Sequence, residues 1–158
     1  MQSLTLNLVI AVIWLLLSAE PSFLAFLHGL LLGFAFLALF QRVMNSGQYV
    51  RRTLAFFRFV FVFLREFLMA NYAVTKTILF GSMKDLYPNF ITLDVAGMQP
   101  FEIVLLSYCI TLTPGTTSVD IDEPFQTLIV HALDAKDPVA VRDSINRSLR
   151  DSILSFTR

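Results

Sequence analysis

Two apolar runs separated by only three residues constrain this chain more than any other feature of its sequence. Leu4–Ala19 is apolar apart from Thr5, Asn7 and Ser18, and Phe23–Phe40 is interrupted only by His28, Gly29 and Gly33. Glu20-Pro21-Ser22 breaks the apolar pattern between them, and so short a connection predicts an antiparallel helical hairpin. The first run makes about 24 Å of helix at roughly 1.5 Å per residue, slightly short of a hydrocarbon core of about 30 Å. Gly29 and Gly33 form a small-xxx-small step of the kind that lets helix backbones approach closely, although apolar helices of this type are Gly-rich in any case. A secretory signal is the competing reading of residues 1–19. It lacks a basic leading region and a small-x-small cleavage site, and a second apolar run follows at once.

The net charge of zero, from 12 Lys+Arg against 12 Asp+Glu, conceals two unlike halves. Residues 1–83 hold six basic and two acidic side chains, 6 − 2 = +4; residues 84–158 hold six basic and ten acidic, 6 − 10 = −4. Most of the 16 Phe fall in the first half. A chain with 56% hydrophobic and 15% charged residues is far from the usual composition of a soluble domain. Disorder, a nucleic-acid surface and an ordinary cytosolic enzyme are all disfavoured.

Residues 41–52 read as a polar linker with Arg42, Arg51 and Arg52, and from Thr53 a long helical segment runs to about Met83. Arg51, Arg58 and Arg65 are spaced by seven and share one stripe of that helix. Glu66, Asn71 and Lys76 follow. A charged group near a bilayer centre costs roughly 2.5–3.5 kcal/mol on insertion scales, so Arg65 and Glu66 are expected to face protein or a polar path rather than lipid. The first half is therefore read as three transmembrane helices, about 4–19, 23–40 and 54–80. Counting arginines places the 42–52 linker in the cytoplasm, but Lys76 and Lys84 at the other end of the third helix leave the bias small.

Residues 84–158 read as a small α+β domain of order β-α-β-β-α. Asn89–Val95 alternates as a strand does. Phe101–Thr113 is apolar but, at 13 residues between Pro100 and Pro114-Gly115, too short to cross a bilayer. The β-branched Thr116–Ile121 and the run Gln126–Leu133 read as paired strands. Asp137-Pro138 has the form of a helix start, with Asp capping and Pro in the first turn. The helix it opens carries Val141, Ile145, Leu149, Ile153 and Phe156 on one stripe, with Asp143–Arg147 and Arg147–Asp151 spaced as ion pairs.

Catalytic signals are missing from this inventory. His28 and His131 stand alone, and Cys109 offers neither a disulfide nor a metal site. Asp120, Asp122 and Glu123 have the chemistry of a hard-cation site but not the spacing of a calcium loop, and a solvated turn is the simpler reading. No phosphate-binding glycine loop, nucleophile elbow or zinc-protease helix occurs. No cofactor is expected and no nucleic-acid partner.

Several segments together resemble the MrpE family (also called MnhE or PhaE), one of the subunit families of the multisubunit Mrp-type cation/proton antiporters. They are Asn7–Trp14, Arg65-Glu66 with Ala70-Asn71, and Leu112-Thr113-Pro114-Gly115-Thr116 with Ser118. His131-Ala132-Leu133-Asp134 completes the set. The resemblance covers nearly the whole chain. It implies an integral component of the bacterial inner membrane, with residues 84–158 in the cytoplasm, partnered by the other antiporter subunits and the bilayer. The placement of that domain conflicts with the arginine count. The expected function is an accessory role in assembly and stability of a Na+/H+ antiporter, with no catalytic residue. The alternative is a stand-alone membrane-anchored regulatory module with a cytoplasmic sensing domain. Arg58, Arg65, Glu66 and Asn71 are the candidate intersubunit contacts. Thr113, Pro114, Gly115, Thr116, Ser118, His131 and Asp134 are expected to be structural, because Pro114-Gly115 stops one helix and turns the chain into a strand.

Overall fold

A computed structural model describes residues 2–81 and 86–158. The chain forms two compact units, residues 1–54 and 55–158. Lys84 and the expected boundary at 83/84 lie outside the described residues.

In the first unit, α1 (Gln2–Leu17) and α2 (Phe23–Leu39) pack as an antiparallel hairpin. The side-chain hydroxyl of Ser22 caps α2 by accepting the Ala25 N–H at 3.2 Å, which supplies a partner for one of the orphan donors of the first turn. At Gly29 and Gly33 the two helices approach too closely for a side chain. A Cβ on Gly29 would lie 2.8 Å from the Ala11 Cα, and one on Gly33 would collide with the Asn7 carboxamide. Asn7 is buried there and donates to the Tyr49 hydroxyl at 2.7 Å. Ser46, also buried, donates to the Leu37 carbonyl at 2.7 Å. Helix α3 (Gly47–Phe80) starts inside the expected linker rather than at Thr53. Gly47, a weak helix former, sits only at the first position, and Gln48–Arg52 continue the helix with neither Pro nor Gly.

The expectation of three membrane-spanning helices is overturned: no helix of the described residues is long and apolar enough to cross a membrane. The reason differs between elements. Helices α1 and α2 are short, at 16 and 17 residues, where about 20 are needed. Helix α3 has 34 residues but carries Arg51, Arg52, Arg58, Arg65, Glu66 and Lys76. Every stretch of 18 residues within it holds at least three of these charges.

The second unit is a mixed helix-and-sheet domain. Strands β1 (Asn89–Asp94), β2 (Thr116–Ile121) and β3 (Thr127–Ala132) form a three-stranded antiparallel sheet of order β1-β3-β2. Phe90 is paired with His131, and Thr116 with Ala132. A bulge between Ser118 and Asp120 shifts the register of the edge strand β2, a usual device at sheet edges. Helix α4 (Pro100–Leu112) crosses between β1 and β2. The final helical stretch is not one helix, as expected, but three pieces: α5 (Pro138–Ile145), a π turn (Asn146–Arg150) and α6 (Asp151–Thr157). Asp137 caps α5 by accepting the N–H groups of Val139 and Ala140 at 3.0 and 3.1 Å.

The core is shared by all of these. Leu93, Leu106, Val130 and Ile153 are fully buried, each contributing roughly 1.5–3 kcal/mol relative to exposure. The second part of α3 belongs to this core. Phe59 is buried, and its ring stands 5.2 Å from that of Phe156.

Candidate functional site

The Leu112–Ser118 motif closes α4, and its side chains satisfy the carbonyls that a helix end leaves without intrahelical partners. The Thr113 hydroxyl donates to Cys109 O at 2.8 Å. The Thr116 hydroxyl is shared between Ile110 O at 2.8 Å and Thr113 O at 3.1 Å. From β2, Ser118 donates its hydroxyl to Ser107 O and its N–H to the Thr111 hydroxyl, both at 3.2 Å. Pro114 ends the helix, and Gly115 at φ +93° makes the left-handed step that an L side chain resists. Its carbonyl accepts the Leu133 N–H at 2.7 Å, tying the motif to the end of β3.

That corner forms one end of a groove of about 550 Å3 lined on the other side by α3. Glu66, Thr113, Pro114, Gly115, Thr116 and Asp134 all line it, so the fold brings the helix-three acid and most of the motif to one place. A second cleft of about 430 Å3 is lined by Arg58, Arg65, Glu66 and Arg147. The remaining candidates lie elsewhere. His131 packs edge-on against the Phe90 ring at 5.2 Å. Ser118 faces α4. Asn71 turns back on its own helix and donates to Phe67 O at 2.8 Å.

Arg65 and Glu66 pair at 3.5 Å, with side chains 66% and 29% exposed. An exposed pair of this kind contributes about 0–1 kcal/mol, which leaves Glu66 available to a stronger partner. The turn acids are held by the backbone. Asp122 accepts from Gln126 N–H at 2.9 Å and from Thr127 N–H, and the Thr127 bond above all holds its carboxyl below the usual range. Among the described residues no group of three or more His, Cys, Asp and Glu is placed to hold a metal ion. Burial pushes the Cys109 thiol up to about 11.

Two features escaped the sequence. One is Glu102, a buried acid in the first turn of α4, which accepts from Thr157 at 2.6 Å and Arg158 at 3.1 Å. No local pattern announces a partner 56 positions away. The other is Arg147, expected in helix-surface ion pairs. Its Nε donates instead to the Asp143 backbone carbonyl at 3.2 Å, while the Asp143 carboxylate lies 3.7 Å from Arg142. The signal for its position was available: Ser144, Ser148 and Ser152 recur every four residues beside it.

The family model described as a Na+/H+ ion antiporter subunit matches residues 7–155. The Na+/H+ antiporter E-type subunit of Bacillus subtilis (strain 168) is 31% identical over 153 residues, covering 97% of this chain and 96% of that protein. The E1-type subunit of Staphylococcus aureus (strain JH9) is 33% identical over 146 residues, covering 92% and 91%. Among solved structures, a chain of the membrane-bound sulfane sulfur reductase, an archaeal respiratory membrane complex, aligns with TM-score 0.54 and 25% identity over 96% of this chain and 98% of that one. A chain of the Mrp complex from Dietzia sp. DQ12-45-1b aligns with TM-score 0.51 and 23% identity over 63% and 93%, a likeness of fold. With a family match spanning nearly its whole length and relatives above 30% identity, the chain belongs to the MrpE (MnhE) family of Na+/H+ antiporter subunits.

Proposed function

We propose that this chain is an accessory subunit of a multisubunit Na+/H+ antiporter, associated with the membrane and contributing to assembly and stability of the complex rather than forming the main ion path. Residues 84–158 face the cytoplasm in this reading, as the family resemblance implies. The observation that carries it is an exposed apolar stripe on α3. Phe57, Phe61, Leu64 and Leu68 lie three or four residues apart and are all exposed, with Arg65 at the edge of the stripe and Glu66 on the opposite, groove-lining face. A continuous apolar strip on one helix marks a surface that another protein or the bilayer covers. Glu66 lies on the opposite face of α3, where it lines the groove with only the weak partner Arg65; in this reading a cation of a neighbouring subunit reaches it there. The motif residues Thr113, Thr116 and Ser118 serve the fold, since their hydroxyls are engaged by α4 carbonyls. The same reading gives Arg58 and Arg65 contacts outside the chain, leaves Asn71 with its own helix, and gives His131 and Asp134 local structural roles.

The test is Glu66→Gln, with complex assembly and antiport measured separately. Assembly and antiport falling together, several-fold, is the expected result. Full assembly with lost antiport would overturn the accessory role and favour an ion path through Glu66. Wild-type behaviour in both would show that Glu66 makes no contact that the complex needs. Mild detergent extraction separates this reading from a stand-alone module, which would purify without large subunits.

A further inference from the structure

The groove and the arginine cleft of the second unit adjoin, since Glu66, Ser144 and Ser148 line both, and together they form one recess along α3. Its α3 wall is a single helix face, with Arg58, Val62, Glu66, Ala70, Ala73 and Thr77 spaced by three or four. From Arg58 to Thr77 that face is about 28 Å long. The opposite wall is the α5–α6 stretch. Ser144 and Ser152, eight residues apart, would be rotated by about 80° on an unbroken α-helix. The wider π turn between them takes most of that rotation back, and both line the same cleft. Such turns occur frequently at functional sites.

The recess is polarised along its length. At the cleft end three arginines, Arg58, Arg65 and Arg147, line the wall with one acid, Glu66. Beyond Glu66 the lining turns to Ala70, Val74, Ile145 and Leu149. Asp134 lines the groove but not the cleft. Arginine is the side chain best suited to phosphate oxygens. Half of a bilayer of about 40–45 Å is roughly 20 Å, so one lipid molecule fits within the length of the recess.

We infer that this recess holds one anionic phospholipid, its phosphate among Arg58, Arg65 and Arg147 and one of its two acyl chains along Ala70, Val74 and Leu149. The inference rests on the membrane association proposed above. A lipid answers both ends of the recess with one molecule, whereas a neighbouring helix would need its own acid placed opposite the arginines.

Native mass spectrometry of the full chain in detergent, titrated with dioleoylphosphatidylglycerol, dioleoylphosphatidylcholine or inorganic phosphate, tests this without requiring assembly or antiport. One saturable phosphatidylglycerol adduct is expected, held at least tenfold more tightly than phosphatidylcholine, with phosphate alone not retained. Arg58→Gln with Arg147→Gln should weaken it tenfold or more, and Ala73→Trp, which fills the groove, should abolish it. Circular dichroism checks that both variants keep the wild-type fold, and Ala73→Leu serves as the milder groove variant if Trp does not. Equal affinity for the two lipids, or no effect of the arginine changes, would overturn the inference. Phosphate bound as tightly as the lipid, with Ala73→Trp silent, would overturn it in favour of a free-anion site. Loss of subunit assembly in Ala73→Trp with lipid binding intact would give the groove to a partner helix and overturn it as well. A failure of the accessory role would appear instead in the Glu66 assay.

Discussion

The side chain with most at stake in this fold is Glu102. Only 3% of it is exposed, and burial by itself would raise its pKa. Hydrogen bonds from Arg158, Thr157 and the Gln99 N–H outweigh that and bring the carboxyl down from 4.5 to about 2. A carboxylate whose folded pKa lies below its unfolded one stabilises the fold fully above the unfolded value. That stabilisation is lost as pH falls, here between about 4.5 and about 2. Glu102→Gln should therefore destabilise the second unit by roughly 3 kcal/mol near neutral pH, with the gap to wild type closing as the medium is acidified through that window. Thermal unfolding at several pH values reads this directly. An equal deficit at every pH would mean that shape, not charge, holds the site.

At the scale of elements, the turn from α4 into β2 shows how a short motif acts through backbone chemistry. Gly115→Ala places a side chain at φ +93° and should cost roughly 1–2 kcal/mol, although there is room for the methyl, with Val74 3.6 Å away. Thr116→Val keeps the volume and removes the hydroxyl that serves Ile110 O and Thr113 O, for a loss of about 1–2 kcal/mol. Because the two positions are neighbours, the double variant should fall short of or exceed the sum. Urea unfolding of the three variants measures the coupling. Much of this turn was legible in the sequence. Thr116, Thr117, Val119 and Ile121 announce a strand, Pro114-Gly115 a stop, and Asp137-Pro138 a helix start, since all of these preferences act within a few residues. The π turn was not legible. Leu149 within it and Ile153 after it are both buried, and no local propensity encodes the extra residue.

For the whole molecule, the sidedness proposed for residues 84–158 makes a direct prediction. Cys109 is the only cysteine, and it is buried with its thiol pushed up to about 11, so it should react slowly with maleimides. A cysteine introduced at the exposed Lys136 should react with a membrane-impermeant maleimide in inverted vesicles and stay unlabelled in intact cells. Labelling in intact cells would reverse the orientation and restore the arginine count as the guide.

The sequence by itself determined the family, through motifs spread from Asn7 to Asp134, and it determined most of the local elements, because capping, turn chemistry and period-2 alternation act over a few residues. It misjudged the apolar helices as membrane spans. Apolar content says that a segment avoids water; whether its length and charge also permit crossing a bilayer depends on where each helix begins and ends. Only the tertiary structure decided that the second part of α3 packs with the sheet domain, that Glu66 faces the Thr113–Thr116 corner, and that Glu102 meets Arg158. Those pairings join residues tens of positions apart. The chain entropy of bringing them together is offset only when the whole core forms, so no short stretch of sequence records them.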